Sequence, residues 1–158
     1  MPVIETPQPR DVEALATLFK EDMDDLGVDV SLDELRELAD AVVNRSGSGD
    51  PECLCWVARL EDGGPAVGVI LANINYSLKF AGRSLWIEEL YVTPAGRRHG
   101  LGRVLVEVLL VWAEDPGIKG VALEAYQGNT PASILYRSLG FRRLGRERFY
   151  YEIDQDLP

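Results

Sequence analysis

Cysteine and histidine are scarce in this chain of 158 residues: Cys53 and Cys55 stand one residue apart, and His99 is the single histidine. So few ligating side chains exclude a disulfide framework and leave no convincing zinc set. Long apolar runs are missing too. The longest, Val104 to Ala113, is interrupted by Glu107 and falls short of a bilayer span. The N-terminal MPVIETPQPRD carries neither the basic nor the apolar region of a secretory signal. These absences set the expectation of a reduced, cytoplasmic protein with no metal and no membrane partner. Positive charge is scarce in one part of the chain. Residues 1–62 hold 5 Lys/Arg against 16 Asp/Glu, whereas residues 63–158 hold 11 against 10. An acidic N-terminal third argues against nucleic acid, which needs a basic face, and favours cationic partners.

What is present reads as one domain, residues 1–158, of α/β (α+β) type. Pro2–Thr6 suits a short edge strand. A helix is expected over Arg10–Leu26, ending at Gly27, and a second over Leu32–Asn44, with Ser31 and Glu34 as a capping box. Ser46–Pro51 reads as a connector. CLCWVARL and AVGVILANINYSL, joined at Gly63-Gly64, form a hairpin signal. A third strand starts at Arg83. In simple alternation Leu85, Ile87 and Tyr91 face one way, and Trp86, Leu90 and Val92 the other. Thr93-Pro94-Ala95-Gly96 breaks that strand. From Leu101 a helix follows, with Val104, Leu105, Val108, Leu109 and Trp112 on its apolar stripe. Pro116-Gly117 turns the chain into a strand over Gly120–Tyr126. A helix opened by Asn129 or Thr130 and Pro131 carries Ala132, Leu135, Tyr136 and Leu139 inward and ends at Gly140. FRRLGRERFYYEI then reads as two more strands. The expected architecture is a mixed, mostly antiparallel sheet of six to seven strands with four helices, in the order β-α-α-β-β-β-α-β-α-β-β.

The loop Arg97–Arg103 carries the chemistry most visible from sequence. A helix start leaves main-chain N–H groups without partners and carries partial positive charge. Gly100 and Gly102 let that backbone approach a ligand closely, and Arg97, Arg98 and Arg103 add full charge. The natural occupant is a phosphate or diphosphate.

Two segments in order then resemble the GNAT superfamily of acetyl-CoA-dependent N-acetyltransferases. Arg97-Arg98-His99-Gly100-Leu101-Gly102 matches the motif [QR]-x-x-G-x-[GA] between a strand and a long helix. About thirty residues on, Asn129, Ala132, Tyr136 and Gly140-Phe141 match the second segment. The resemblance implies acetyl-CoA as co-substrate, its diphosphate on the amides around Arg98, His99, Gly100, Leu101, Gly102 and Arg103, with Arg97 also part of the cofactor site. The pantetheine arm would run along Leu90, Tyr91 and Val92, and Asn129, Ala132 and Tyr136 would complete the cofactor site. It also implies a bulge in the third long strand, which leaves open whether Glu88 or Glu89 faces the cofactor. Glu88 is the first choice for the base and Glu89 the second. Tyr136 is the expected acid toward the thiolate, and the Leu90 N–H the expected donor to the oxyanion. His99 and the two cysteines are expected to play no chemical part.

The expected reaction is direct transfer of acetyl to a primary amine in a ternary complex. A small cationic acceptor would be drawn by Asp22, Asp24, Asp25 and Asp29. Alternatives are a non-catalytic acyl-CoA sensor and an acetyltransferase acting on protein N-termini or lysines. A homodimer through sheet edges or Phe149-Tyr150-Tyr151 fits the same analogy.

Overall fold

The computed structural model describes residues 1–48, 52–114, 117–125 and 128–153. By packing, the chain divides into two units, Met1–Glu124 and Ala125–Pro158. The first unit runs β1 (Val3–Glu5), α1 (Val12–Asp25), α2 (Leu32–Gly47), β2 (Leu54–Arg59), β3 (Ala66–Ser77), β4 (Gly82–Val92), α3 (Leu101–Glu114) and β5 (Gly120–Leu123). Single 3-10 turns precede α1 (Pro9–Asp11) and follow β4 (Pro94–Gly96). The five strands lie in chain order, antiparallel except where β5 runs parallel to β4.

The expected order of elements holds through α4 (Thr130–Ser138) of the second unit, but the six to seven strands do not. Among the described residues the sheet has five, and residues 141–153 carry no strand. Alternation in FRRLGRERFYYEI states a preference only; a strand exists where a neighbouring strand takes its ladder hydrogen bonds. Helix α2 runs on to Gly47, past the expected Asn44, so Ser46 and Gly47 are helical. The rest of that connector's Gly-Asp-Pro, with Pro116 and Tyr126, lies outside the described residues.

Ser31 caps α2 as its sequence requires. Its Oγ accepts the Glu34 N–H at 3.1 Å, and its own N–H donates to Glu34 Oε1 at 3.2 Å. Helices α1 and α2 cover one face of the sheet. Leu15, Leu18, Phe19, Leu35, Ala39 and Val42 pack there against Cys55, Val57, Val69, Leu71 and Tyr91. The other face takes α3, whose Leu105 lies over Gly68 and whose Trp112 meets Trp56 edge to face at 6.4 Å.

One buried cation ties the N-terminal elements together. Arg59, fully buried at the end of β2, donates Nη1 and Nη2 to the two Asp11 oxygens at 2.9 and 2.7 Å. Its Nε reaches Glu5 Oε1 at 2.6 Å, and Nη1 also serves the Gly64 carbonyl at 3.1 Å. Strand β1, the start of α1, β2 and the β2–β3 turn thus share one guanidinium, whose planar fork suits two acceptors at once. Burial by itself would raise the Asp11 carboxyl, but Arg59 and the Gln8 N–H outweigh it and hold it below the usual range. The contribution is therefore present above the ordinary carboxylate pKa and is lost as pH falls through the depressed folded value. Asp11→Ala strands the buried Arg59 and is expected to lower unfolding free energy by roughly 3 kcal/mol in urea titrations. Asp11→Leu combined with Arg59→Met should recover most of that loss.

Candidate active site

Strand β4 pairs with β3 in two registers. Leu85 opposes Ile74 and Ile87 opposes Ala72, but Glu89 opposes Leu71 and Tyr91 opposes Val69. Glu88 is left without a partner, which makes it the extra residue of a bulge. The bulge turns the second half of the strand over. Leu85 and Ile87 lie on the α3 face with Leu90 and Val92, whereas Glu89 and Tyr91 lie on the face packed by α1 and α2. Simple alternation placed Leu85, Ile87 and Tyr91 together; the inserted residue separates them.

Pairing on the other edge also changes here. Strand β5 follows β4 from Ser84 to Ile87 and goes no further. Among the described residues, the stretch Glu88–Val92 has no strand on that side, so main-chain groups of Leu90 and Val92 lie along an open edge.

The two candidate carboxylates meet different surroundings. Glu88 is exposed and accepts the Trp86 indole N–H at 3.0 Å. Glu89 is partly buried beneath α1. Burial is the main cause that pushes its carboxyl up, to about 9. A hydrogen bond and like charge from Asp22 add to the rise, as does the charge of Glu88, and the Leu90 N–H works against it. That N–H is the one reserved in the sequence reading for an oxyanion.

Helix α1 lines this face with acid. Asp22 continues the stripe of Leu15, Leu18 and Phe19, so a carboxylate stands where the helical period calls for an apolar side chain. That misfit was the legible sign of Asp22 as the partner of Glu89. Glu21 Oε2 accepts the Tyr91 hydroxyl at 3.1 Å and Thr93 Oγ1 at 2.8 Å. Burial above all, then Glu21 and Asp25, raises the Tyr91 phenol to about 12. Of the expected acceptor residues, Asp25 is exposed but near enough to act on Tyr91, Asp24 forms an ion pair with Lys20 at 2.9 Å, and Asp29 is exposed in the turn beyond the helix. The sequence reading overlooked Glu21, because nothing local distinguishes it from a solvated helix carboxylate.

Past Thr93 the chain makes the loop expected to hold a phosphate. Gly96 is obligatory, since a Cβ there would stand 2.9 Å from Val67 Cγ2. Arg98 (φ 68) and Gly100 (φ 69) are both left-handed. For arginine that conformation costs about 1 kcal/mol. Arg97, Arg98, His99, Gly100 and Arg103 are exposed, while Leu101 is buried as the first residue of α3. Arg97 folds back, its guanidinium 5.9 Å from the Tyr91 ring centre and its Nε donating to the Val92 carbonyl at 3.1 Å.

In the second unit Asn129 caps α4, its Oδ1 accepting the Ala132 N–H at 3.3 Å. The Tyr136 ring lies 5.9 Å from that of Phe141, whose N–H closes on the Tyr136 carbonyl at 3.0 Å. The structure thus gathers Glu89, Leu90, Tyr91, Val92, Arg97, Glu21 and Asp22 around one half-strand.

The sequence model of the acetyltransferase (GNAT) family matches residues 13–141. A mycothiol acetyltransferase of Catenulispora acidiphila is 42% identical over 67 residues, 40% of this chain and 21% of that protein. The chain thus aligns to about a fifth of that relative's length. A thialysine N-epsilon-acetyltransferase of Bos taurus is 30% identical over 115 residues, covering 68% of this chain and 67% of that protein. Among solved structures, the aminoglycoside N-acetyltransferase AAC(6')-Iy in complex with CoA superposes with a TM-score of 0.77 at 18% identity, over 96% of this chain and 95% of that one. At that identity the likeness speaks for the fold.

Folding raises the Glu89 carboxyl from an ordinary 4.5 to about 9, so between those values the folded chain holds the extra proton. Stability should therefore fall as pH rises across that window and level off above it. Glu89→Gln removes the effect. Its melting temperature is expected to exceed that of wild type by a margin that opens near pH 5 and widens to pH 9. A constant margin would mean that the carboxyl is solvated.

Proposed function

This chain belongs to the acetyltransferase (GNAT) family, and from that membership we propose an acyltransferase that moves acetyl from acetyl-CoA to the primary amine of a small cationic acceptor. The observation that carries the reading is the bulge at Glu88, which sets Glu89 against Asp22 beside the open edge of β4. Relatives that act on thialysine and on aminoglycosides, both amines, support the acceptor class.

The loop Arg98–Arg103 suits the diphosphate: its residues open α3, two of them left-handed, and they carry three arginines with Arg97. The pantetheine arm would lie along Leu90–Val92. An aliphatic ammonium has a pKa of about 10, so an ordinary carboxylate is a poor base toward it. A carboxyl raised to about 9 is nearly matched to its task. Few such groups are ionised at neutral pH, but the arriving cation offsets the repulsion of Asp22 and Glu88 and draws the carboxylate form out.

Glu89 then takes a proton from the ammonium, and the free amine forms the C–N bond at the thioester carbon. Once protonated, Glu89 is a weaker acceptor, and the Leu90 N–H is released toward the oxyanion. Collapse breaks the C–S bond; the thiolate takes a proton from Tyr136, the role the family resemblance implies for it. The tyrosinate is restored by the second proton that the acetylated nitrogen sheds as the neutral amide forms. Glu88 remains the alternative base, and Asp24, Asp25 and Asp29 extend the acidic approach to the acceptor. A homodimer and a cytoplasmic location are part of the same proposal. Among the described residues no helix is long and apolar enough to cross a membrane.

The test is thiol release from acetyl-CoA across a panel of polyamines, aminoglycosides and lysine analogues. Glu89→Gln should lower kcat by about 10²-fold or more with the best acceptor, and Glu88→Gln by far less. Binding of coenzyme A without amine-dependent release by wild type would overturn the enzymatic reading. The reverse order of the two variants would move the base to Glu88.

A further inference from the structure

The chemistry above leaves Glu21 unused, yet its bonds reach the other half of the site. One oxygen, Oε2, receives hydroxyl protons from Tyr91 and from Thr93, residues 70 and 72 positions away in sequence. Thr93 is where strand becomes loop. Its N–H donates to the Val67 carbonyl at 2.9 Å, and its own carbonyl accepts the Gly96 N–H at 2.8 Å, closing the turn before Arg97. Tyr91 in turn carries the Arg97 guanidinium on its ring, while Arg97 Nε holds the Val92 carbonyl. A single carboxylate on α1 thus fixes the last buried residue of β4 and the first residue of the loop, through hydrogen bonds strengthened by its charge.

We propose that Glu21 is a positioning residue for the cofactor: it holds Thr93–Arg97 in the place from which the main-chain N–H groups of Arg98–Arg103 converge on one anion. The inference rests on the reading of that loop as the diphosphate site of acetyl-CoA. Its physical content is pre-organisation. A loop already held in its binding shape loses less conformational freedom when the ligand arrives. It also couples the two halves of the site, because the next residue on α1, Asp22, meets Glu89.

Charge provides a discriminating sign. Glu21 is an anion near an anion site, so if it acted only through its field, removing it would tighten binding of a diphosphate. Positioning demands the opposite. Calorimetric titration of the full chain with coenzyme A separates the two. Glu21→Ala should bind about tenfold more weakly than wild type. Glu21→Gln, which keeps an oxygen able to accept both hydroxyls, should restore affinity to within about twofold of wild type. Val42→Ala, a core change in α2 remote from the loop, serves as the control for general destabilisation and should leave affinity unchanged. Should Glu21→Ala fail to fold, Thr93→Val removes one donor alone and is expected to weaken binding roughly threefold. Unchanged or tighter binding by Glu21→Ala, or by Thr93→Val in its place, overturns the positioning role while the cofactor reading stands. Wild type that gives no heat with coenzyme A overturns both.

Discussion

Strand β4 has one residue more than β3 can pair, and the surplus falls at Glu88. Without it, Glu89 and Tyr91 would face α3 together with Leu85 and Ile87, and Leu90 and Val92 would face α1. A strand's side-chain period is two, so a single inserted residue exchanges the faces of everything beyond it. Here the exchange brings a carboxyl and a phenol beneath the acidic helix, while Leu90 and Val92 stay on the apolar α3 face. At the same point β5 stops following β4, leaving main chain open along the edge. The bulge therefore places the acid and exposes the backbone in one local event.

Burial beneath α1 gives that placement its chemical meaning. A carboxylate brought next to Asp22 out of water is disfavoured in its charged form, so Glu89 holds its proton well into the alkaline range. The fold loses stability there at neutral pH, and the N-terminal elements offset such losses elsewhere. Around Arg59 each guanidinium nitrogen finds an acceptor: two oxygens of Asp11, one of Glu5 and the Gly64 carbonyl. The two acidic sites sit at opposite ends of α1 and answer to the same rule. An acid beside a cation is held ionised, and an acid buried out of water beside another acid is held neutral. Among the described residues the two non-glycine positions of positive φ, Ala81 and Arg98, both lie outside the helices that carry the core.

The extent to which the sequence foretold this differs from element to element. Helices α1, α2, α3 and α4 were legible because their stripes and caps are local: Ser31 with Glu34, and Asn129 with Pro131. The loop Arg97–Arg103 was legible less from its glycines, which many strand–helix junctions carry merely to make the bend, than from the match of Arg97-Arg98-His99-Gly100-Leu101-Gly102 to the family motif. The strands expected after Gly140 failed, since alternation in FRRLGRERFYYEI says nothing about a pairing partner. Simple alternation failed for the faces of β4 at Glu88; the bulge there was implied by the family resemblance and leaves no mark in the strand's own residues, since it depends on what the neighbouring strand can match.

The amino-acid sequence by itself determined the class of fold, the order of its elements through α4, a loop of glycine and arginine at the start of α3 and a pair of adjacent acids, Glu88-Glu89, on the strand leading to it. Only the tertiary structure decided between the surroundings of those two acids, giving Glu88 to solvent and the Trp86 indole and Glu89 to Asp22. It alone joined Glu21 to Tyr91 and Thr93. The physical reason is range. Caps, turns and helical stripes depend on residues within a few positions of one another, whereas a carboxyl's proton and a loop's position depend on groups some seventy residues away that only folding brings within 3 Å or so.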